Sequence, residues 1–229
     1  MVDLYYLKPS EVTYEKTLLN LTSIISNEEK FTISQFRRGR DRHSALVTRA
    51  VTRLLLSKYI SAKPEDLVFS KVKNGKPILF DSDCEVRFNL SHTSDCVVWA
   101  ITSGKDVGID IEIVNGANDM RELWTNIFTP QECAYIESFS SGNRACAFFD
   151  LWTLKESFLK ATGEGLSVSL GSFEFGVKDG CYTLINSHLK NITTQNYFFR
   201  SLSIPPNYRV AICVAGNKDF DLTVKKFSV

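Results

Sequence analysis

Residues 148–166, FFDLWTLKESFLKATGEGL, constrain the fold more than any other stretch of the chain. Phe149, Trp152, Phe158, Leu159 and Thr162 recur at three- and four-residue intervals, the spacing of a helix packed on a core. The same helix carries a second line, Trp152, Glu156 and Lys160 at i, i+4 and i+8, which puts a carboxylate and an amine beside an aromatic of the buried type. Gly163 and Gly165 then suit a left-handed C-terminal cap. An ordinary surface Glu–Lys pair would show the same spacing and add only a few tenths of a kcal/mol. Whether this pair is more than that depends on what the rest of the chain brings to the helix.

The remainder reads as strands and helices in mixed order. Val2 to Leu7 is a strand closed by Pro9. Leu18 to Ile25 is helical, and Ser26 with Glu29 forms a capping box for a short helix through Phe36. From Asp41 to Tyr59 an apolar face runs through Val47, Ala50, Val51 and Leu55, with Arg42, Arg49 and Arg53 off that face. Asp66 to Val72 reads as a strand, and NGKP (Asn74 to Pro77) as a turn that displays Lys76. Strands Val86 to Leu90 and Cys96 to Thr102 follow, joined by the polar SHTSD, and then Val107 to Val114. Helices are expected over Asn118 to Phe128, Glu132 to Phe139 (with Thr129 as cap) and Arg144 to Thr162. Five strands complete the chain, at Phe173 to Val177, Tyr182 to Ile185, Tyr197 to Ile204, Tyr208 to Val214 and Leu222 to Phe227. CVVWAIT and YRVAICVAG are similar strands after similar turns, so the expected fold is α+β, a pseudo-duplicated pair of similar halves divided at residues 1–104 and 105–229.

Composition narrows the function. The chain has 229 residues, 44% hydrophobic and 23% charged, with a net charge of +1, so a nucleic-acid backbone is not an expected partner and any anion site must be local. Six cysteines lie scattered without CxxC or metal-ligand spacing, and no apolar run approaches the length of a membrane span. These features read as a cytoplasmic protein with reduced, mostly buried thiols and no membrane partner. The strand VGIDIEIV alternates, so Asp110 and Glu112 project from one face at a spacing that lets two acids share a hard cation; a solvated edge strand would look the same.

Four pieces in order, Lys76 in NGKP, Ser91-His92 in FNLSH, Asp110 with Glu112 in GIDIE, and Glu156 with Lys160 in KESFLK, resemble the 4′-phosphopantetheinyl transferases of the surfactin-synthetase-activating (Sfp) type. The resemblance implies transfer of 4′-phosphopantetheine from coenzyme A to a serine of an apo acyl or peptidyl carrier protein. It implies release of adenosine 3′,5′-bisphosphate, Mg2+ as the metal, and an active site in the cleft between two α/β halves. It places Mg2+ on Asp110, Glu112 and Glu156, makes Glu156 a candidate base for the carrier serine, and gives Lys160 the charge of the transferring phosphate. Whether Glu156 acts as base or only as metal ligand stays open, and Asp110 counts with Glu156 and Lys160 among the catalytic residues. His92 would contact the 3′-phosphate, with Ser91, Lys71, Gly75, Lys76 and Pro77 close to the coenzyme. Lys30 matches one N-terminal phosphate contact of the family, but Phe31, Thr32, Ile33 and Ser44 stand where others have basic residues, so either the 3′-phosphate is held less strongly or Arg37, Arg38, Arg42 or Arg49 substitutes. One chain supplying both sides of the cleft implies a monomer. A Mg2+-dependent nuclease, a non-catalytic module that binds a carrier protein or coenzyme A, and a generic α+β protein with coincidental motifs are the rival readings. Met120, Leu123, Trp124 and Phe128 form either a carrier-docking segment or core.

Overall fold

The computed structural model describes residues 1–71, 75–80, 84–114, 124–165, 168–178, 181–187 and 193–229. Its strands are β1 (Val2–Leu7), β2 (Phe69–Lys71), β3 (Pro77–Leu79), β4 (Val86–Thr93), β5 (Cys96–Ser103), β6 (Val107–Ile113), β7 (Phe173–Lys178), β8 (Cys181–Ser187), β9 (Tyr197–Ile204), β10 (Tyr208–Ala215) and β11 (Leu222–Lys226). Its α-helices are α1 (Glu15–Ile24), α2 (Asn27–Ser34), α3 (Gly39–Ser57), α4 (Pro130–Glu137) and α5 (Ser141–Thr162). The fold is α+β, built around a four-stranded sheet of order β11-β1-β5-β4 and a three-stranded sheet of order β6-β10-β9.

Period-two alternation decides how these layers stack. In β1, Leu7 joins the cluster under α1 to α3, while Val2 and Leu4 join a second cluster with Ile109, Ile111, Val210 and Ile212. The first sheet is thus sandwiched between helices and the second sheet, which is why β5 is buried on both faces from Cys96 to Thr102. Trp99 is tied to the helical layer by its indole N–H, which donates to Thr52 Oγ1 of α3 at 2.8 Å. The far face of the second sheet receives α5, with Phe158 set among Phe173, Tyr197 and Phe199 at centroid distances of 5.0, 5.0 and 6.2 Å. Ridge-forming side chains cover α5 on nearly all sides, and Trp152, Glu156 and Lys160 remain partly open. β5 and β10 are each the middle strand of an antiparallel triplet, and β11 returns to pair in parallel with β1.

Gly108 explains how α5 comes so near β6. A Cβ at this position would lie 2.0 Å from the Ser157 carbonyl oxygen and 2.5 Å from the Ala161 nitrogen, so helix backbone rests directly on strand backbone. Gly108→Ala should force the helix off the sheet and cost about 1–3 kcal/mol, read as a lower melting temperature with a parallel loss of activity. An unchanged melting temperature would show that the helix can shift freely.

Four expectations need correction, and one open alternative closes. β4 continues through Thr93, and the connection to β5 is a two-residue turn at Ser94 and Asp95, with Ser94 at φ 48°. The strand expected from Asp66 is preceded by a 3-10 turn, Pro64–Asp66, and shrinks to Phe69–Lys71. Arg53 is not off the apolar face; it is buried, bonded to Glu29 Oε2 at 2.8 Å and to the carbonyls of Pro64 and Leu67. Only Cys96 and Cys213 among the six cysteines are buried. Trp124 and Phe128 pack against Phe148 in the second core, so they present no docking surface, while Met120 and Leu123 lie outside the described residues.

Candidate active site

The polar stripe of α5 faces β6, and their side chains interlock. Lys160 Nζ donates to Asp110 Oδ1 at 2.6 Å, to Ser91 Oγ at 2.9 Å and to the Ile109 carbonyl at 3.2 Å, which uses all three of its protons. Ser91 in turn donates to Asp110 Oδ1 at 2.9 Å. Asp110 Oδ2 is buried and has no hydrogen-bond partner among the described residues. Glu112 accepts from Thr93 Oγ1 at 3.1 Å and also bonds to Trp152. Burial pushes the Glu112 carboxyl upward, and the charge of Asp110 adds to that. Glu156 is pushed up in the same way, by burial and then by Asp110, with Glu112 contributing less and Lys160 opposing. Gly163, at φ 75°, ends α5 in the left-handed cap that the sequence predicts.

The donor set suits a hard divalent cation. Three carboxylates that repel one another, one of them with an orphaned buried oxygen, are short of positive charge, and all offer oxygen. Among the described residues no three Asp, Glu, His or Cys side chains form a ready cage. Next to the acids opens a cavity of about 590 Å³ lined by residues that include Gly75, Lys76, Pro77, Asn89, Glu156 and Lys160. Lys76 Nζ spans from the NGKP turn to the Val107 carbonyl at 3.0 Å and the Lys160 carbonyl at 2.8 Å, and burial lowers its pKa.

Other candidates sit elsewhere. His92 follows Ser91 on β4, so its ring points from the opposite, exposed face, and the cavity lining among described residues includes neither His92 nor Lys30. Lys30 is exposed on α2, and the side chain of Lys71 lies outside the described set. Arg42 donates to the carbonyls of Phe36 and Arg37, and Arg49 stands 4.0 Å from Glu29, leaving Arg37 and Arg38 as the exposed cations nearest in sequence to the expected phosphate contact. Asn89, Thr93 and Arg209 were not foreseen. Arg209 lies across from Glu112 in the β6–β10 register and 3.6 Å from Asp150.

Residues 106–213 match the description of the 4′-phosphopantetheinyl transferase superfamily, and residues 9–104 match that of a 4′-phosphopantetheinyl transferase N-terminal region. The 4′-phosphopantetheinyl transferase psf-1 of Bacillus pumilus is 30% identical over 86% of this chain and 82% of its own length. The chain belongs to the 4′-phosphopantetheinyl transferase family. The 4′-phosphopantetheinyl transferase HetI of a Nostoc strain is 31% identical over 67% of this chain, and the match spans 65% of that relative. Among solved structures, the holo-[acyl-carrier-protein] synthase of Thermotoga maritima is similar at a TM-score of 0.42 and 23% identity, over 49% of this chain and 64% of that one. The Asp110–Lys160–Ser91 cluster joins the two matched regions, since Ser91 belongs to the first and the other two to the second.

Proposed function

We propose that this chain moves the 4′-phosphopantetheine group of coenzyme A to the serine hydroxyl of an apo acyl or peptidyl carrier protein. The observation that carries the reading is the Asp110–Lys160–Ser91 cluster, with Glu156 beside it, at the wall of a cavity between the chain's two parts, 1–104 and 105–229. The serine oxygen forms a bond to the phosphorus on the pantetheine side of the pyrophosphate. The bridging P–O bond breaks, and adenosine 3′,5′-bisphosphate leaves with the electron pair. The serine proton needs an acceptor, and Glu156, its pKa raised by burial and by Asp110, faces the cavity where that hydroxyl would enter.

Asp110, Glu112 and Glu156 would hold Mg2+, which when bound neutralises pyrophosphate charge and steadies the leaving oxygen. Lys160 is fixed by three acceptors, so its ammonium offers a placed charge that costs little reorganisation when a phosphate oxygen replaces one of them. Lys76 lines the same cavity and contributes charge while tying the NGKP turn to β6 and α5. A reducing, cytoplasmic setting and a monomeric enzyme complete the proposal; six free cysteines accord with the first. Among the described residues no helix is long and apolar enough to cross a membrane.

The direct test incubates the protein with apo carrier domains, coenzyme A and Mg2+ and reads intact mass. The expected product is carrier heavier by one phosphopantetheine group; no adduct on several carriers of each kind would refute the transferase reading. The role that the resemblance gives His92 has its own check. His92→Ala should raise the KM for coenzyme A about tenfold, the loss of one charge-assisted hydrogen bond, and leave the KM for dephospho-coenzyme A little changed. Equal rises with both would remove His92 from the 3′-phosphate.

A further inference from the structure

Two sheet edges meet at this site with no backbone ladder between them. β4 is the last strand of one sheet and β6 the last strand of the other. An uncovered edge leaves backbone groups without partners, and here short polar side chains of β4 fill the gap. Asn89 Oδ1 accepts from the Ile109 N–H at 2.9 Å, Ser91 donates to Asp110 at 2.9 Å, and Thr93 donates to Glu112 at 3.1 Å. The three residues are two apart, so they share one face of β4 and meet β6 in step. We propose that Ser91 and Thr93 are positioning residues that orient Asp110 and Glu112, so that the N-terminal part of the chain aims the acids carried by the C-terminal part.

This inference rests on the reading of those acids as cation ligands, and the contacts explain why hydroxyls are used. Of the three, Asn89 bonds to β6 backbone, whereas Ser91 and Thr93 spend their protons on carboxylates. Ser91 Oγ accepts from Lys160 and donates to Asp110 Oδ1, a double duty that only a group both donor and acceptor can perform. With Oδ1 held by both, Oδ2 is left as the oxygen available to a cation. Without Ser91, the carboxylate can swing so that both oxygens face Lys160. Thr93 does the same for Glu112 with one bond, and its methyl group keeps the packing when the hydroxyl is removed isosterically.

Mn2+ is the probe, titrated into the full-length protein and followed by the paramagnetic resonance of free Mn2+, with melting curves alongside. Ser91→Ala and Thr93→Val should each weaken Mn2+ binding about tenfold, the usual penalty for removing a group that orients a metal ligand. Thr93→Ser should restore the wild-type affinity, and none of the three should shift the melting temperature appreciably. Equal Mn2+ affinity in wild type, Ser91→Ala and Thr93→Val would overturn the positioning role alone. A wild-type protein that takes up no Mn2+ would overturn the metal assignment itself, and this inference with it.

Discussion

Asp110→Ala is expected to reduce phosphopantetheine transfer by about 10²–10³-fold, the scale of removing one preorganised charge-stabilising group from an active site. The carboxylate is the hub of the cluster. Its Oδ1 holds Lys160 at 2.6 Å and Ser91 at 2.9 Å, and its buried Oδ2 has no hydrogen-bond partner among the described residues. Alanine therefore removes the proposed cation ligand and unfastens the ammonium at once. Asp110→Asn separates the two effects, because an amide oxygen can still accept from Ser91 and Lys160 but carries no charge. Its activity should fall nearly as far, while the melting temperature holds or rises, since burial and Asp110 together are what push Glu112 and Glu156 upward. Single-turnover rates at saturating coenzyme A, read with melting curves, give both numbers. Near wild-type turnover in Asp110→Ala would place the chemistry elsewhere.

Much of this site was legible because its parts are local patterns. The i, i+4, i+8 line of α5 needs only helical period, and the Asp110–Glu112 pair needs only strand alternation; the structure brings the two lines face to face. What the chain could not show is what lies across from a residue. SHTSD has the composition of a loop, yet sheet pairing with Cys96 and Val97 carries β4 through Thr93, and that extension puts Ser91 inward and His92 outward. Arg53 reads as solvated until Glu29 and two carbonyls are found around its guanidinium. Trp124 reads equally as docking surface or core until Phe148 is found beside it. For Arg53 and Trp124 the deciding partner is distant in sequence and carries no periodic signal; for SHTSD the partners are near, but nothing in its composition marks where the turn falls.

Lys155 is the extreme of that kind, and its replacement should have the largest effect on stability. It neighbours Glu156 in a motif that invites a catalytic reading, but it points the other way, fully buried against equally buried Glu132 at 2.9 Å. Its ammonium also donates to the carbonyls of Leu170 at 2.8 Å and Phe173 at 2.5 Å and lies 4.5 Å from the centre of the Phe173 ring. Glu132 is committed as deeply: it accepts from Phe175 N–H at 2.9 Å and from Thr129 N–H, closing the cap of α4. The network pins α4, α5 and β7 together, and burial lowers the Lys155 pKa while Glu132 opposes the change. Lys155→Met keeps length and apolar contact but leaves a buried carboxylate unbalanced and two carbonyls without a donor. Such a broken pair costs about 3–5 kcal/mol, a large share of the 5–15 kcal/mol typical of a folded domain. The melting temperature should fall by roughly 10 °C. Lys155→Met with Glu132→Gln should fall by less than the two single losses combined, because the second change removes the charge stranded by the first. Turnover measured well below the melting temperature separates this residue from Asp110: Lys155→Met should work near the wild-type rate, and a loss of the Asp110 size in a folded variant would mean that the lysine acts on the substrate.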